Sequence, residues 1–294
     1  MPQARDFERP RGSRGTLSGR LGLLSLGLAL LASPAPTRSP APPRRIVALA
    51  PSAAEILFAL GAAPRVVGVP DFADDLPEAA GKTRVGGFAP DLERVVSLAP
   101  DLVVVSKDGT DRAAYEKLEA LGLTVVVTSG ATLAGVLEDV ALVGHALGED
   151  DRARALVLAL TKRIAAAEAL GRAAHRRARA LALIWPDPPV AAGAGTFVGD
   201  VVRRAGFTNV VPGSAGDWPR VSFETLAAWN PDLVIRPETP ENAAAFARAF
   251  GDGRWRLVKA VSAGRVVVLP GSLLERPGPR LVEALERLAA VNVP

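Results

Sequence analysis

Apolar residues in this chain cluster into short continuous runs, and between the runs they recur every three or four places. Residues 45–50, 66–69, 124–127, 178–184 and 265–269 are runs of the kind that parallel strands show when both faces are buried. Between them lie amphipathic stretches: 52–60 closed by Gly61, 111–121 closed by Gly122, 132–147 closed by Gly148, 197–205, 241–250, 255–261 and 280–291. Ser52-Ala53-Ala54-Glu55 reads as a capping box at the start of the first of these. Residues 150–176 differ from the rest. Leu156, Leu160, Ile164, Ala167 and Leu170 repeat near i, i+4 without a break, which predicts one long helix of roughly 40 Å. The segment lacks the Gly, Ser and Pro content of a flexible linker. Strands that alternate with helices predict an α/β fold of two lobes, each a parallel-rich sheet covered by helices, joined by one long interlobe helix. The expected divisions are a leader at 1–43, an N-terminal lobe at 44–149, the connecting helix at 150–176 and a C-terminal lobe at 177–294.

A repeat supports the two-lobe reading. Residues 92–105, LERVVSLAPDLVVV, return 131 positions later as FETLAAWNPDLVIR, with five of fourteen positions identical. That spacing is far longer than the roughly 20 to 50 residues of a solenoid repeat. Each copy predicts a short helix, a Pro-Asp turn and a buried strand. Each also carries a glutamate, Glu93 or Glu224, in the first helical turn, where the macrodipole favours an acid by about 0.3 to 1 kcal/mol. Two acids at equivalent places in two lobes could also meet basic residues on a two-fold partner and steer docking.

Composition narrows the function. With 49% hydrophobic and 22% charged residues the chain can bury a core. The formal net charge of +4 resides entirely before Arg44, where six arginines face two acids; residues 44–294 balance at 29 basic and 29 acidic side chains. A nucleic-acid binder needs a basic footprint on its folded part, so that class is set aside. The basic stretch ending at Arg20, the apolar residues 21–32 and the small-residue and proline tail at 33–43 form the pattern of a cleaved secretory signal, too short for the roughly 20 residues of a membrane span. No cysteine is present, which removes a lipoprotein anchor, disulfides and thiol redox chemistry. The expectation is an exported, soluble, periplasmic protein.

Ligands of open parallel sheets collect at the carboxyl ends of the strands. Aromatics make up only 5% of the chain, yet Phe72, Phe88, Trp185 and Trp218 all fall in loops that follow predicted strands. They predict an apolar cleft shared by the lobes. Asp71, Lys107, Asp108, Asp217, Arg220, Glu275 and Arg276 supply polar company for an amphipathic ligand. Catalytic equipment is sparse. The two histidines, His145 and His175, lie in helical segments, Asp74-Asp75 reads as a solvated loop face, and Gly193-Ala194-Gly195 with Gly199 departs from dinucleotide-loop spacing. An exported α/β enzyme using the strand-end carboxylates is the alternative class. The chain is expected to be no enzyme and to need no cofactor or metal.

The opening block, residues 45–52 with Glu55 and residues 57–61, resembles that of the periplasmic iron-siderophore/cobalamin substrate-binding proteins of ABC importers. Val85-Gly86-Gly87-Phe88, Asp91-Leu92-Glu93-Arg94 and Pro100-Asp101-Leu102-Val103 resemble the family's next block. Trp185-Pro186-Asp187-Pro188, residues 217–222 and residues 275–280 are similar to its cobalamin-binding branch. The resemblance implies that cobalamin or a related corrinoid is carried between the lobes as transported ligand, with modest closure. It implies ligand contacts from Pro51, Ser52, Phe72, Phe88, Lys107, Trp185, Asp217, Trp218, Arg220, Glu275 and Arg276. Glu93 and Glu224 would meet arginines of the permease dimer, and the free protein would be a monomer. A ferric siderophore or haem is the alternative cargo. Haem usually takes a Tyr or His axial ligand, whereas Tyr115 is expected in a helix and no loop histidine exists. Against the branch's pattern, Phe72 stands where Tyr is frequent, residues 106–108 lack a tryptophan, and Leu273 occupies a place that can be aromatic.

Overall fold

A computed structural model describes residues 41–175 and 178–292. The secretory leader expected at 1–43 falls almost wholly outside them. The N-terminal lobe runs β1 (Ile46–Ala48), α1 (Pro51–Ala59), β2 (Val66–Val69), β3 (Thr83–Arg84), α2 (Leu92–Ser97), β4 (Leu102–Ser106), α3 (Arg112–Ala120), β5 (Val125–Thr128) and α4 (Leu133–Leu147). Its five strands are all parallel, in the order β3-β2-β1-β4-β5. After α5 (Asp150–Ala174) come β6 (Arg179–Pro186), β7 (Pro189–Ala191), α6 (Phe197–Arg204), β8 (Thr208–Asn209), α7 (Phe223–Trp229), β9 (Leu233–Glu238), α8 (Ala243–Gly251), α9 (Lys259–Ser262), β10 (Val266–Pro270), α10 (Gly271–Leu274) and α11 (Leu281–Ala289). The second sheet has the order β10-β9-β6-β7, with β8 also paired to β6. Its strands are parallel except at the β6–β7 hairpin.

The continuous apolar runs are explained by cores on both faces of each sheet. Side chains alternate across a strand, so Ile46, Ala48, Leu102 and Val104 meet α1 and α4 while Val47, Leu49, Val103 and Val105 meet Val95 of α2 and Leu118 of α3. The second sheet repeats the arrangement. Ala180, Ala182, Leu233 and Ile235 join the core under α6 and α11, and Leu181, Leu183 and Val234 join the one under α7 and α8. The two copies of the repeat become α2–β4 and α7–β9, each pair feeding an interior strand of its own sheet.

Helix α5 is 25 residues long, about 37 Å at 1.5 Å per residue. Its Leu160, Ile164 and Ala167 share one core with Leu133 and Val136 of α4 and with residues of α6 and α11. A single hydrophobic body thus spans both lobes. Arg163 binds Glu286 of α11 through two bonds of 2.8 and 2.7 Å, and Glu168 takes Arg204 of α6 at 2.5 Å. At Gly171 the helix meets the end of α6 so closely that a Cβ would lie 2.2 Å from the Ala205 carbonyl oxygen.

Several local readings change. Ser52 does not cap α1: Pro51 occupies the first turn, the N-cap is Ala50, and the Glu55 carboxylate turns instead to Arg280. The proline-rich break after β6 is a hairpin, in which a cis Asp187-Pro188 bond leads into β7. His175 is not a surface histidine. It is 1% exposed, stacked on Phe207 at 4.0 Å, with Nδ1 2.8 Å from the Ala205 carbonyl and Nε2 2.6 Å from that of Val291.

Candidate functional site

The carboxyl ends of the strands of both sheets open into one cleft of about 980 Å³. From the N-terminal lobe, β1 delivers Ala50, Pro51 and Ser52, the loop after β2 delivers Phe72, Asp74 and Asp75, and the turn after β4 delivers Ser106, Asp108 and Gly109. From the C-terminal lobe come Ile184 and Trp185 at the end of β6, residues 238–242 after β9, and residues from Pro270 to Pro277 after β10, with Phe197 and Trp218 closing one side. Of the residues expected at the ligand, Pro51, Ser52, Phe72, Trp185, Trp218, Glu275 and Arg276 all line this cleft.

Three of its aromatic rings are open to solvent: Phe72 at 66%, Trp185 at 40% and Trp218 at 45%. Large apolar side chains left this exposed, and converging on one concavity from both lobes, make a surface that gains by being covered. Both indoles are anchored. Trp185 donates its Nε1–H to the Asp187 carbonyl at 3.0 Å, and Trp218 meets Phe197 edge-on at 5.9 Å. The glycines at 193, 195 and 199 serve this anchoring. A Cβ on Gly193 would lie 2.1 Å from the Gly216 carbonyl oxygen, one on Gly195 2.1 Å from Asp217 Oδ1, and one on Gly199 2.1 Å from the Gly193 oxygen. Only a side-chain-free loop lets the segment before Trp218 pack down, with Gly193 N–H donating to the Asp217 carbonyl at 2.7 Å.

Four expected ligand residues lie off the cleft lining, each for a local reason. Phe88 is 62% exposed in the turn before α2, where its carbonyl accepts from the Asp111 N–H. Lys107 points to solvent at the end of β4, Asp217 is used against the glycine loop, and Arg220 bridges to Val190 in the β7 region. Sequence reasoning overlooked Phe197 and residues 238–242. The latter follow β9 as Ser106–Gly109 follow β4, so applying the repeat to both copies locates them.

One flank of the cleft is tied shut by charge. Arg276 bonds Asp75 at 2.5 Å and the Phe72 carbonyl at 2.8 Å; Arg280 bonds Asp75 at 2.5 Å and Glu55 through Nε at 3.1 Å. The Arg280 backbone N–H adds a second contact to Glu55 at 2.5 Å. Both acids belong to the N-terminal lobe and both arginines to the C-terminal one, so this is a clasp between lobes, and Asp75, although exposed, is a paired loop acid. Burial pushes the Glu55 carboxyl above its ordinary value against the pull of Arg280. Burial acts in the same direction on Asp75, but its bonds to Arg280 and Arg276 win and hold it below the usual carboxylate range.

Glu93 and Glu224 are exposed second residues of α2 and α7, behind the N-caps Asp91 and Ser222. Both helices start at the cleft end of their sheets. The Ser222 hydroxyl helps to hold Glu224 below its ordinary pKa. Among the described residues no group of three or more His, Cys, Asp or Glu side chains is arranged to hold a metal ion, and no helix is long and apolar enough to cross a membrane.

Known proteins share this architecture. The chain is 31% identical over 256 residues to a cobalamin-binding protein of Halobacterium salinarum, covering 84% of this chain and 69% of that one. Its fold superimposes on the periplasmic vitamin B12-binding protein of Vibrio cholerae with a TM-score of 0.74 at 25% identity, covering 84% and 96% of the two chains. A periplasmic heme-binding protein from Roseiflexus sp. RS-1 gives 0.76 at 26% identity, again over 84% and 96%. Residues 46–273 match the sequence profile of the periplasmic binding proteins. With two strand-end faces around an open aromatic cleft and a helical spine behind them, the chain belongs to the periplasmic binding protein family and is a substrate-binding protein rather than an enzyme.

Proposed function

We propose that this protein captures cobalamin, or a closely related corrinoid, in the cleft and hands it to the permease dimer of an ABC importer. The observation that carries the reading is the cleft itself. Its 980 Å³ lies at the upper end of the roughly 300 to 1,000 Å³ usual for small-molecule sites, and Phe72, Trp185 and Trp218 flank it from both lobes. A broad, partly apolar ring system with a polar amide periphery matches that mixture of aromatic faces and hydrogen-bonding loops. The cobalamin-binding relatives point the same way. Haem is the second reading, because heme-binding relatives share the fold equally well. It is disfavoured by the lining: no Tyr or His lies there, and haem capture usually needs one as axial ligand. Titration calorimetry with cyanocobalamin is expected to give saturable heat at micromolar concentrations or below; no heat under those conditions overturns the corrinoid reading.

Delivery is assigned to Glu93 and Glu224, which offer one carboxylate from each lobe at equivalent positions. Arginines of a two-fold permease are their natural partners, and a free monomer exported to the periplasm on its cleaved leader is the form that would dock. Exposed carboxylates of this kind steer docking without touching the cargo. The double change Glu93→Ala and Glu224→Ala is therefore expected to leave ligand affinity within about twofold while cutting cellular uptake about tenfold or more. Uptake at the wild-type rate would remove both residues from docking.

A further inference from the structure

We propose that the cleft is an anion filter in which Asp108, Glu241 and Glu275 select corrinoids with amidated side chains over those with free carboxylates and turn away polyanionic ligands. The ligand class in this inference rests on the corrinoid reading above. Six carboxylates line the cleft, Asp74, Asp75, Asp108, Glu238, Glu241 and Glu275, against a single lining cation, Arg276. Three of the acids are neutralised by neighbours: Asp74 by Arg84, Asp75 by Arg276 and Arg280, and Glu238 by Arg236. Arg276 is itself committed to Asp75 and the Phe72 carbonyl. Asp108, Glu241 and Glu275 have no ion-pair partner among the described residues, and they arrive on three separate loops, after β4, β9 and β10. The uncommitted charge of this aromatic-walled cleft is therefore entirely negative.

Glu275 is exposed but lies against the cleft wall, where a Cβ on Gly271 would come within 3.0 Å of its Oε2. Although its side chain faces the open cleft, the surrounding wall desolvates it enough to raise its pKa, Arg276 pulls the other way, and Glu241 adds to the rise. The Asn242 side-chain amide donates to its Oε1 at 3.4 Å. A carboxylate kept here without an ion-pair partner presents lone pairs that accept from amide N–H groups and repels any carboxylate or catecholate brought within a few ångströms. The amide periphery of a corrinoid satisfies it; the propionates of haem and the net negative charge of a ferric tricatecholate do not.

The test compares wild type with Glu241→Gln/Glu275→Gln, whose side chains keep their size. The probes are dicyanocobinamide, dicyanocobyrinic acid and a ferric tricatecholate siderophore complex. Cobyrinic acid carries the same ring with carboxylates in place of the amides. Wild type is expected to prefer the amide form by about tenfold or more, and the preference is expected to shrink at high salt and in the double variant because the acid form binds more tightly. An unchanged preference ratio in the variant overturns the filter. If wild type fails to bind cobinamide, the corrinoid reading falls. The filter is then decided by the ferric tricatecholate, whose binding must rise about tenfold in the double variant for the filter to stand and overturns it if equal in both proteins.

Discussion

Replacing Arg280 by alanine is expected to lower the unfolding free energy by about 3 kcal/mol or more at neutral pH, the typical cost of removing one partner of a buried ion pair. Arg280 is the main counter-charge to Glu55, whose side chain is only 6% exposed and is packed against Gly278. Without the guanidinium, a buried carboxylate remains with one backbone N–H for company, and Asp75 loses half of its cationic partners. The loss corresponds to roughly 6 to 12 °C in the melting temperature for a protein of this size. The pH dependence has a definite sign. Glu55 has a folded pKa above its ordinary 4.5 even with Arg280 present. Such a group favours the folded state below its unfolded pKa, and that contribution is lost as pH rises through the folded value. Removing Arg280 raises the folded value further, so the deficit of the variant is complete well above it and shrinks as pH falls towards 4.5. Asp75 runs oppositely: its lowered pKa gives stability present above 3.8 and lost as pH falls through the folded value, and the variant forfeits part of that. Thermal melts across the acid-to-neutral range check this. A deficit below about 1 kcal/mol, or one that does not vary with pH, would show that the clasp contributes little.

The second large effect concerns the ligand. Changing Trp185 and Trp218 together to alanine is expected to weaken cyanocobalamin binding about a hundredfold, since two indoles each lose their apolar contact and stacking with the ring, at about 1 to 2 kcal/mol apiece. Because both are exposed at 40% and 45% in the free protein, the melting temperature should barely move. That contrast separates this variant from Arg280→Ala. Affinity within threefold of wild type would place the ligand elsewhere in the cleft.

What the sequence made legible was the local and the periodic. Gly148 closes α4 at a φ of 70°, as its place after the apolar run foretold, and at the other end the Thr132 hydroxyl accepts from the Gly135 N–H. The long helix at 150–174 and the repeated α2–β4 and α7–β9 pairs also follow from periodicity alone. What was hidden depends on distant partners. Glu55 looked like a capping residue because nothing near it betrays Arg280, 225 positions away. His175 read as one more helical residue because the ends of α6 and α11 that bury it are tertiary neighbours. The β7 hairpin was masked by prolines, which a central strand would exclude but a sheet edge admits. Within the cleft, single residues such as Trp185 could be placed by the strand-end rule, whereas the pairing state of each carboxylate could not.

The shared core along α5 has a consequence for signalling. A hinge protein announces its cargo by closing, and its partner reads the change of shape. Here one hydrophobic body runs from α4 through α5 to α6 and α11, and the Glu55–Arg280–Asp75–Arg276 clasp binds the lobes on the flank of the cleft. Large opening would have to break both. The empty protein is therefore expected to hold nearly the shape it has with cargo bound, so that little binding free energy is diverted into rearrangement. It also follows that shape alone carries little information about occupancy. Any partner that must tell full from empty has to read the cargo itself at the mouth of the cleft.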